Sequence, residues 1–262
     1  TKEVLKMSSP LPTVAFRSSQ VIMENTTQFP WLVRVYPSDS QRADATSYML
    51  RNYGWTKVLV LVDQASTWAN SLAKGITDKS AAHGIVLESW WTPHLRDMSK
   101  LNATKLDLAA AAKHAKDKGY KVILLAMSKY VDLAVKALYD EGVYGEGIVF
   151  IGSADTYFLL CDAALVGPER VVLDSSMVLV ESGVDRSLEH SMSLMAAWPE
   201  GTRKFLANDD MLDTAYALDA LQLFAHAIDA TISKYKSPLV STELMSALRT
   251  VTVKGLTGDL QI

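Results

Sequence analysis

The polar groups best placed to do chemistry gather at the ends of apolar runs. Gln64-Ala65-Ser66-Thr67-Trp68 follows the unbroken run Lys57-Val58-Leu59-Val60-Leu61-Val62-Asp63. Arg17-Ser18-Ser19-Gln20 follows Leu11 to Phe16, and Gly152-Ser153-Ala154-Asp155-Thr156-Tyr157 follows Ile148 to Ile151. Hydroxyls, a carboxylate and aromatic rings supply hydrogen bonds and apolar walls, the equipment of a binding site. Catalytic motifs are missing. There is no Gly-x-Ser-x-Gly elbow and no Walker loop, and Gly142, Gly145 and Gly147 precede a strand-like run, the wrong context for a dinucleotide fingerprint. His83, His94, His114, His190 and His226 form no pair at metal-ligand spacing, so no metal and no cofactor is expected. Asp209, Asp210 and Asp213 read as an acidic helix start, which the helix dipole explains without a metal.

The elements that must position these groups alternate regularly. The run from Lys57 to Asp63 is continuously apolar, as a strand buried on both faces requires. Ser66 or Thr67 caps the helix after it, so Gln64 to Trp68 lies at the carboxyl end of a parallel strand, where open α/β sheets bind ligands. Before it, Trp31 to Val35 is a strand, and Ser38-Asp39-Ser40-Gln41 starts a helix carrying Ala45, Tyr48, Met49 and Tyr53 at helical spacing. After it come strands at Ile85 to Trp91, Tyr120 to Met127 and Ile148 to Ile151, and helices at Leu106 to Lys118 and Lys129 to Glu141. This βαβα rhythm predicts an α/β, doubly wound parallel sheet. From Arg170 the rhythm changes. Val171 to Val180 reads as a long strand, Asp209 to Ser233 as an amphipathic helix, Thr242 to Leu248 as a shorter one, and Gly255 to Gly258 as a hairpin turn.

At 262 residues and 49% hydrophobic, the chain can bury a sizeable core, as one large domain or two lobes. A net charge of -3 with no long charge run excludes a nucleic-acid footprint. No apolar stretch approaches the roughly 18–20 residues that span a bilayer, so a membrane would be reached only through segments outside this chain. Thr1 in place of an initiator Met, and an end at Gln261-Ile262 within a strand-like run, read as a piece of something longer. The single Cys161 forbids an internal disulfide and reads as a buried hydrophobe. Two glycosylation sequons, at Asn25 and Asn102, lie in polar stretches read as loops and favour an extracellular location.

An ordered set of landmarks then resembles a known family. Val14 to Phe16, Ser18-Ser19, Phe29-Pro30, Arg34, Pro37-Ser38-Asp39 with Gln41, and Gly54-Trp55 come first. Gly145 to Ile151 with Asp155-Thr156-Tyr157, then Tyr216-x-x-Asp219-Ala220, then Lys254-Gly255-Leu256-Thr257-Gly258 complete it. The set resembles the type I periplasmic-binding-protein fold. More particularly, it is similar to the receptor-family ligand-binding region of metabotropic glutamate and natriuretic peptide receptors and of bacterial branched-chain amino-acid-binding proteins. The resemblance implies two lobes, with residues 1–37 and 175–262 a partial first lobe and 38–174 the second.

The resemblance also implies roles. A ligand held between lobes would take donors from Ser18 and Ser19, an apolar or cation–π wall from Trp68, and an acceptor from Asp155 with Tyr157 beside it. That suits an amino-acid-like small molecule. Each residue has a plainer reading too: a capped loop for Ser18-Ser19, helix-start packing for Trp68, an N-cap for Asp155. Arg17 reads as solvated, and Trp90-Trp91 as a surface or interface feature. The implied function is non-catalytic, an extracellular receptor region signalling by lobe closure. A periplasmic solute-binding protein of an amino-acid transporter and a ligand-free interaction module are the alternatives. A homodimer through the Asp209 to Ser233 helix is a further expectation, against an ordinary core helix.

Overall fold

The computed structural model describes residues 11–93, 97–127, 129–153, 167–179, 212–235 and 241–260, with the single positions 189, 193 and 196. The chain divides into two compact units, one continuous (Asp39–Val180) and one made of two segments (Thr1–Ser38 and Glu181–Ile262).

The continuous unit is an α/β sheet of five parallel strands. Strands β3 (Lys57–Asp63), β4 (Val86–Thr92), β5 (Val122–Ala126), β6 (Val149–Ser153) and β7 (Ser176–Leu179) lie in the order β4-β3-β5-β6-β7. Helices α1 (Asp39–Asn52), α2 (Thr67–Ala81), α3 (Leu101–Asp117) and α4 (Val131–Asp140) cover it. β3 is hydrogen-bonded on both sides, Leu61 standing opposite Trp90 of β4 and Leu125 of β5. Its Val58, Val60 and Val62 enter one core with Leu50, Leu72 and Ile76, while Leu59 and Leu61 enter another with Leu108, Ala112 and Leu138. Each such Val, Leu or Ile side chain contributes roughly 1.5–3 kcal/mol by burial. Both faces are used, which is why β3 carries no polar alternation.

Some local expectations are corrected. Ala45 and Tyr48 of α1 are exposed, and Tyr53, just past its end, stacks on Trp55 at 4.7 Å; the buried face is Ala43, Thr46, Ser47 and Leu50. Close approach to α2 selects small residues there. A Cβ on Gly75 would stand 3.0 Å from Ala43 Cβ, and the Ser47 and Ser80 hydroxyls meet at 2.9 Å. α3 begins five residues earlier than the apolar pattern suggests, after a 3-10 turn at Met98–Lys100 that Asp97 caps. Val171 to Val180 is not one strand. Pro168–Ser175 is a 3-10 helix, and among the described residues of that stretch Ser176–Leu179 pairs, in register with β6. The lobe boundary expected at 174 falls before β7, which this pairing joins to the continuous unit.

The discontinuous unit pairs β1 (Thr13–Ala15) in parallel with β2 (Leu32–Arg34), and joins β8 (Val253–Lys254) to β9 (Asp259–Leu260) as an antiparallel hairpin. Helices α5 (Leu212–Tyr235) and α6 (Ser241–Thr250) share a core with Val33, Val35, Val253 and Leu260. Tyr36 meets Tyr216 edge-on at 4.9 Å. Asp219, wholly buried on α5, accepts from Leu256 N (2.6 Å), Thr257 N (2.9 Å) and Thr257 Oγ1 (2.6 Å). Gly255 is required beside it, since a Cβ there would lie 2.6 Å from the carboxylate. Among the described residues no helix is long and apolar enough to cross a membrane.

Candidate functional site

In the five-stranded sheet the chain goes from β3 to β4 on one side and then to β5 on the other. The strand order therefore reverses between β3 and β5, and the crevice at their carboxyl ends is where such sheets bind ligands. Two turns border it.

The first is Gln64 to Trp68, and its backbone is fixed from several directions. Asp63, buried at the strand end, accepts from Ala65 N through Oδ1 at 3.1 Å, and its carbonyl accepts from Ser66 N at 2.9 Å. Gln64 N donates to Thr92 O at 3.2 Å, and Asn70 Nδ2 returns to Gln64 O at 2.9 Å. Ser66 caps α2, its Oγ accepting from Ala69 N at 3.3 Å. Held in this way, Trp68 lies half-buried against the α2-side core, and its indole Nε1 is buried with no hydrogen-bond partner among the described residues. An indole N–H that has given up water without gaining a partner is a donor awaiting an acceptor.

The second turn leads from Met127 into α4. Tyr130 at the helix start has φ 54, the one non-glycine positive φ among the described residues. An aromatic residue in the left-handed region costs on the order of 1–3 kcal/mol, and such strain clusters at functional sites. Sequence reading missed Tyr130, because nothing in Lys129-Tyr130-Val131 announces that conformation.

In the discontinuous unit, Ser18 and Ser19 follow the carboxyl end of β1, Ser19 buried and Ser18 half-buried. Arg34 of β2 clamps this loop. Its guanidinium donates to Gln20 O at 3.1 Å and Ser18 O at 3.5 Å, and pairs with Glu24 at 3.2 Å. Arg34, a landmark in the sequence, thus positions the loop that carries the serines.

The remaining expectations divide. Asp155, Tyr157 and Cys161 lie outside the described residues. Asn25 is exposed in its loop, with Oδ1 accepting from Thr27 N and Gln28 N. Asn102 is exposed but is not in a loop. It occupies the first turn of α3, and its sequon partner Thr104 is buried. Trp90 is half-buried and donates to Asp107 at 3.3 Å, while Trp91 is exposed.

Perturbed titration is found elsewhere. The Tyr120 phenol donates to Glu88 and holds that carboxyl below its usual range, with His114 Nε2 2.8 Å away on the other oxygen. Burial and Glu88 together push Tyr120 up to about 12. Tyr120 precedes β5 and Glu88 is in the first half of β4, away from the carboxyl ends. Among the described residues no group of three or more His, Cys, Asp or Glu side chains is placed to hold a metal ion.

Known proteins share this architecture. The receptor family ligand binding region is matched over residues 8–262. An ABC transporter substrate-binding protein from Desulfitobacterium hafniense, solved in complex with Leu, is 17% identical with a TM-score of 0.66 over 95% of this chain and 65% of that one. A second structure of an ABC transporter substrate-binding protein from the same organism gives 16% identity and a TM-score of 0.64 over 93% of this chain. This chain spans 63% of that second protein's length. Likeness at this identity is likeness of fold, here the type I periplasmic-binding-protein fold.

Proposed function

Because the chain belongs to the receptor family ligand-binding region, we propose that it captures a small amino-acid-like ligand as the extracellular part of a membrane receptor. Ser18 and Ser19 donate to the ligand's carboxylate, Trp68 walls it, and Asp155 accepts from its ammonium with Tyr157 alongside. This is the complement that a zwitterion needs. The observation that carries the reading is the rigid turn presenting Trp68, with its buried, unpartnered indole N–H, beside the β3–β5 reversal. Ligand contacts made only in a closed arrangement of the lobes would favour closure and pass a signal along the chain.

A second reading has its own support. The two solved structures described above are transporter substrate-binding proteins, and one was solved in complex with Leu. Under that reading the protein is a periplasmic solute-binding protein and signals nothing.

Thermal unfolding against the twenty amino acids and small carboxylates tests the shared core of both. A ligand at about 100 times its Kd adds roughly 2.7 kcal/mol to the folded state. A shift that Trp68→Leu and Ser18→Ala each reduce supports capture. A well-folded protein with no shift across the panel overturns it and leaves a ligand-free interaction module. The complete precursor then separates receptor from transporter component, by a membrane span or its lack.

A further inference from the structure

The α3-facing side of the continuous unit holds a second polar cluster. Trp90 of β4 packs into the α3-side core and donates through Nε1 to Asp107 Oδ1, which fixes the register between strand and helix. α3 leaves the carboxyl end of β4 and returns to the amino end of β5, so it runs antiparallel to the strands. Thr92 is on the same face as Trp90 and about 6.6 Å nearer the carboxyl end. Thr104 is on the buried face of α3 and about 4.5 Å from Asp107 in that same direction. Both threonines therefore lie toward the same end of the β4–α3 interface, past the Trp90–Asp107 contact. Thr92 is 0% and Thr104 1% exposed, and neither hydroxyl has a hydrogen-bond partner among the described residues; Asp107 Oδ2 is buried and lacks one there too.

We propose that Thr92, Thr104 and Asp107 together hold one ordered water. A buried hydroxyl without a partner has lost its hydrogen bonds to solvent, and buried water commonly replaces them. The hydroxyls give or accept while Asp107 Oδ2 accepts, which suits a ligand that does both. An anion would face the Asp107 carboxylate, with Asp63 the cross-strand neighbour of Thr92. A cation would face the amino end of α3, where the helix dipole is positive. Deeper in the same interface Leu59, Leu61 and Leu108 fill the space. The water ties the end of β4 to α3. Through Thr92 O and Gln64 N it also steadies the turn that carries Trp68.

The test uses the unliganded protein. A high-resolution crystal structure should show one ordered water within about 3.2 Å of both threonine Oγ1 atoms. Thr92→Val and Thr104→Val, nearly isosteric, should each lower Tm by several degrees, with the double variant no worse than the poorer single one. Thr92→Ser and Thr104→Ser, which keep the hydroxyl, should retain the water. A dry site in the crystal, or Val variants that leave Tm level or raise it, overturns the proposal.

Discussion

Replacing Asp219 by Ala removes the acceptor for three hydrogen bonds, from the buried Leu256 N, from Thr257 N and from Thr257 Oγ1. Hydrogen bonds to a charged group contribute about 1.5–3 kcal/mol each, and they are not additive when they share one carboxylate. We expect a loss of about 3–5 kcal/mol, a fall in Tm of roughly 6–20 °C for a chain of this size. Gly255→Ala attacks the same contact from the other side, because its Cβ would stand 2.6 Å from Asp219. On its own it should cost about 1–3 kcal/mol, the usual range for overpacking. The two changes must therefore couple. Once Asp219→Ala has removed the carboxylate, adding Gly255→Ala should cost little. Unfolding of the four proteins in urea, followed by far-ultraviolet circular dichroism, gives the cycle. Hydrogen exchange at Leu256 and Thr257 localises the effect to the β8–β9 hairpin. Equal costs of Gly255→Ala in both backgrounds, or a Tm for Asp219→Ala within a degree of the parent, would refute this account of the hairpin.

Two further predictions concern the continuous unit. Ser66→Ala should cost about 1 kcal/mol by removing the α2 cap, and it should weaken binding of any ligand that contacts Trp68; denaturation and a thermal-shift titration read the two effects. Glu88 has its pKa lowered in the folded protein, so its contribution is present above the ordinary value of 4.5 and is lost as pH falls through the lowered one. Tyr120 is raised from 10.0 to about 12, so its contribution is full below 10.0 and is lost as pH rises toward 12. Tyr120→Phe should flatten the dependence of Tm on pH at both ends, and parallel profiles for variant and parent would count against the pair.

Legibility followed how local the cause was. β3 runs from Lys57 to Asp63 as the sequence predicts, because every residue of its apolar run has its own side of the sheet to fill. Ser66 caps α2 because its hydroxyl competes for backbone close by. Tyr216-x-x-Asp219-Ala220 and Lys254 to Gly258 were separate landmarks, and the structure gives the reason they occur together: the aspartate on one binds the backbone of the other. Tertiary causes stayed hidden. The buried face of α1 consists of small and hydroxylated residues because α2 comes close, so the larger apolar side chains marked the wrong face. Val171-Val172-Leu173 has strand composition, but Pro168 opens a 3-10 helix through it. The left-handed Tyr130 and the buried Thr92 and Thr104 depend on how elements pack together, which no spacing within one element records.

The discontinuous unit has a consequence for synthesis. Residues from Asp39 to Val180 form one uninterrupted segment that can fold as soon as it leaves the ribosome. Tyr36, by contrast, waits for Tyr216, about 180 positions later, which at 5–20 residues per second is on the order of 10–40 s. Val33 and Val35, buried in the finished protein beside Leu223 and Leu248, are exposed on the nascent chain throughout that interval. The stretch carrying β1 and β2, whose Val14, Val33 and Val35 pack together on that late-arriving core, is thus a segment that a chaperone at the ribosome would hold.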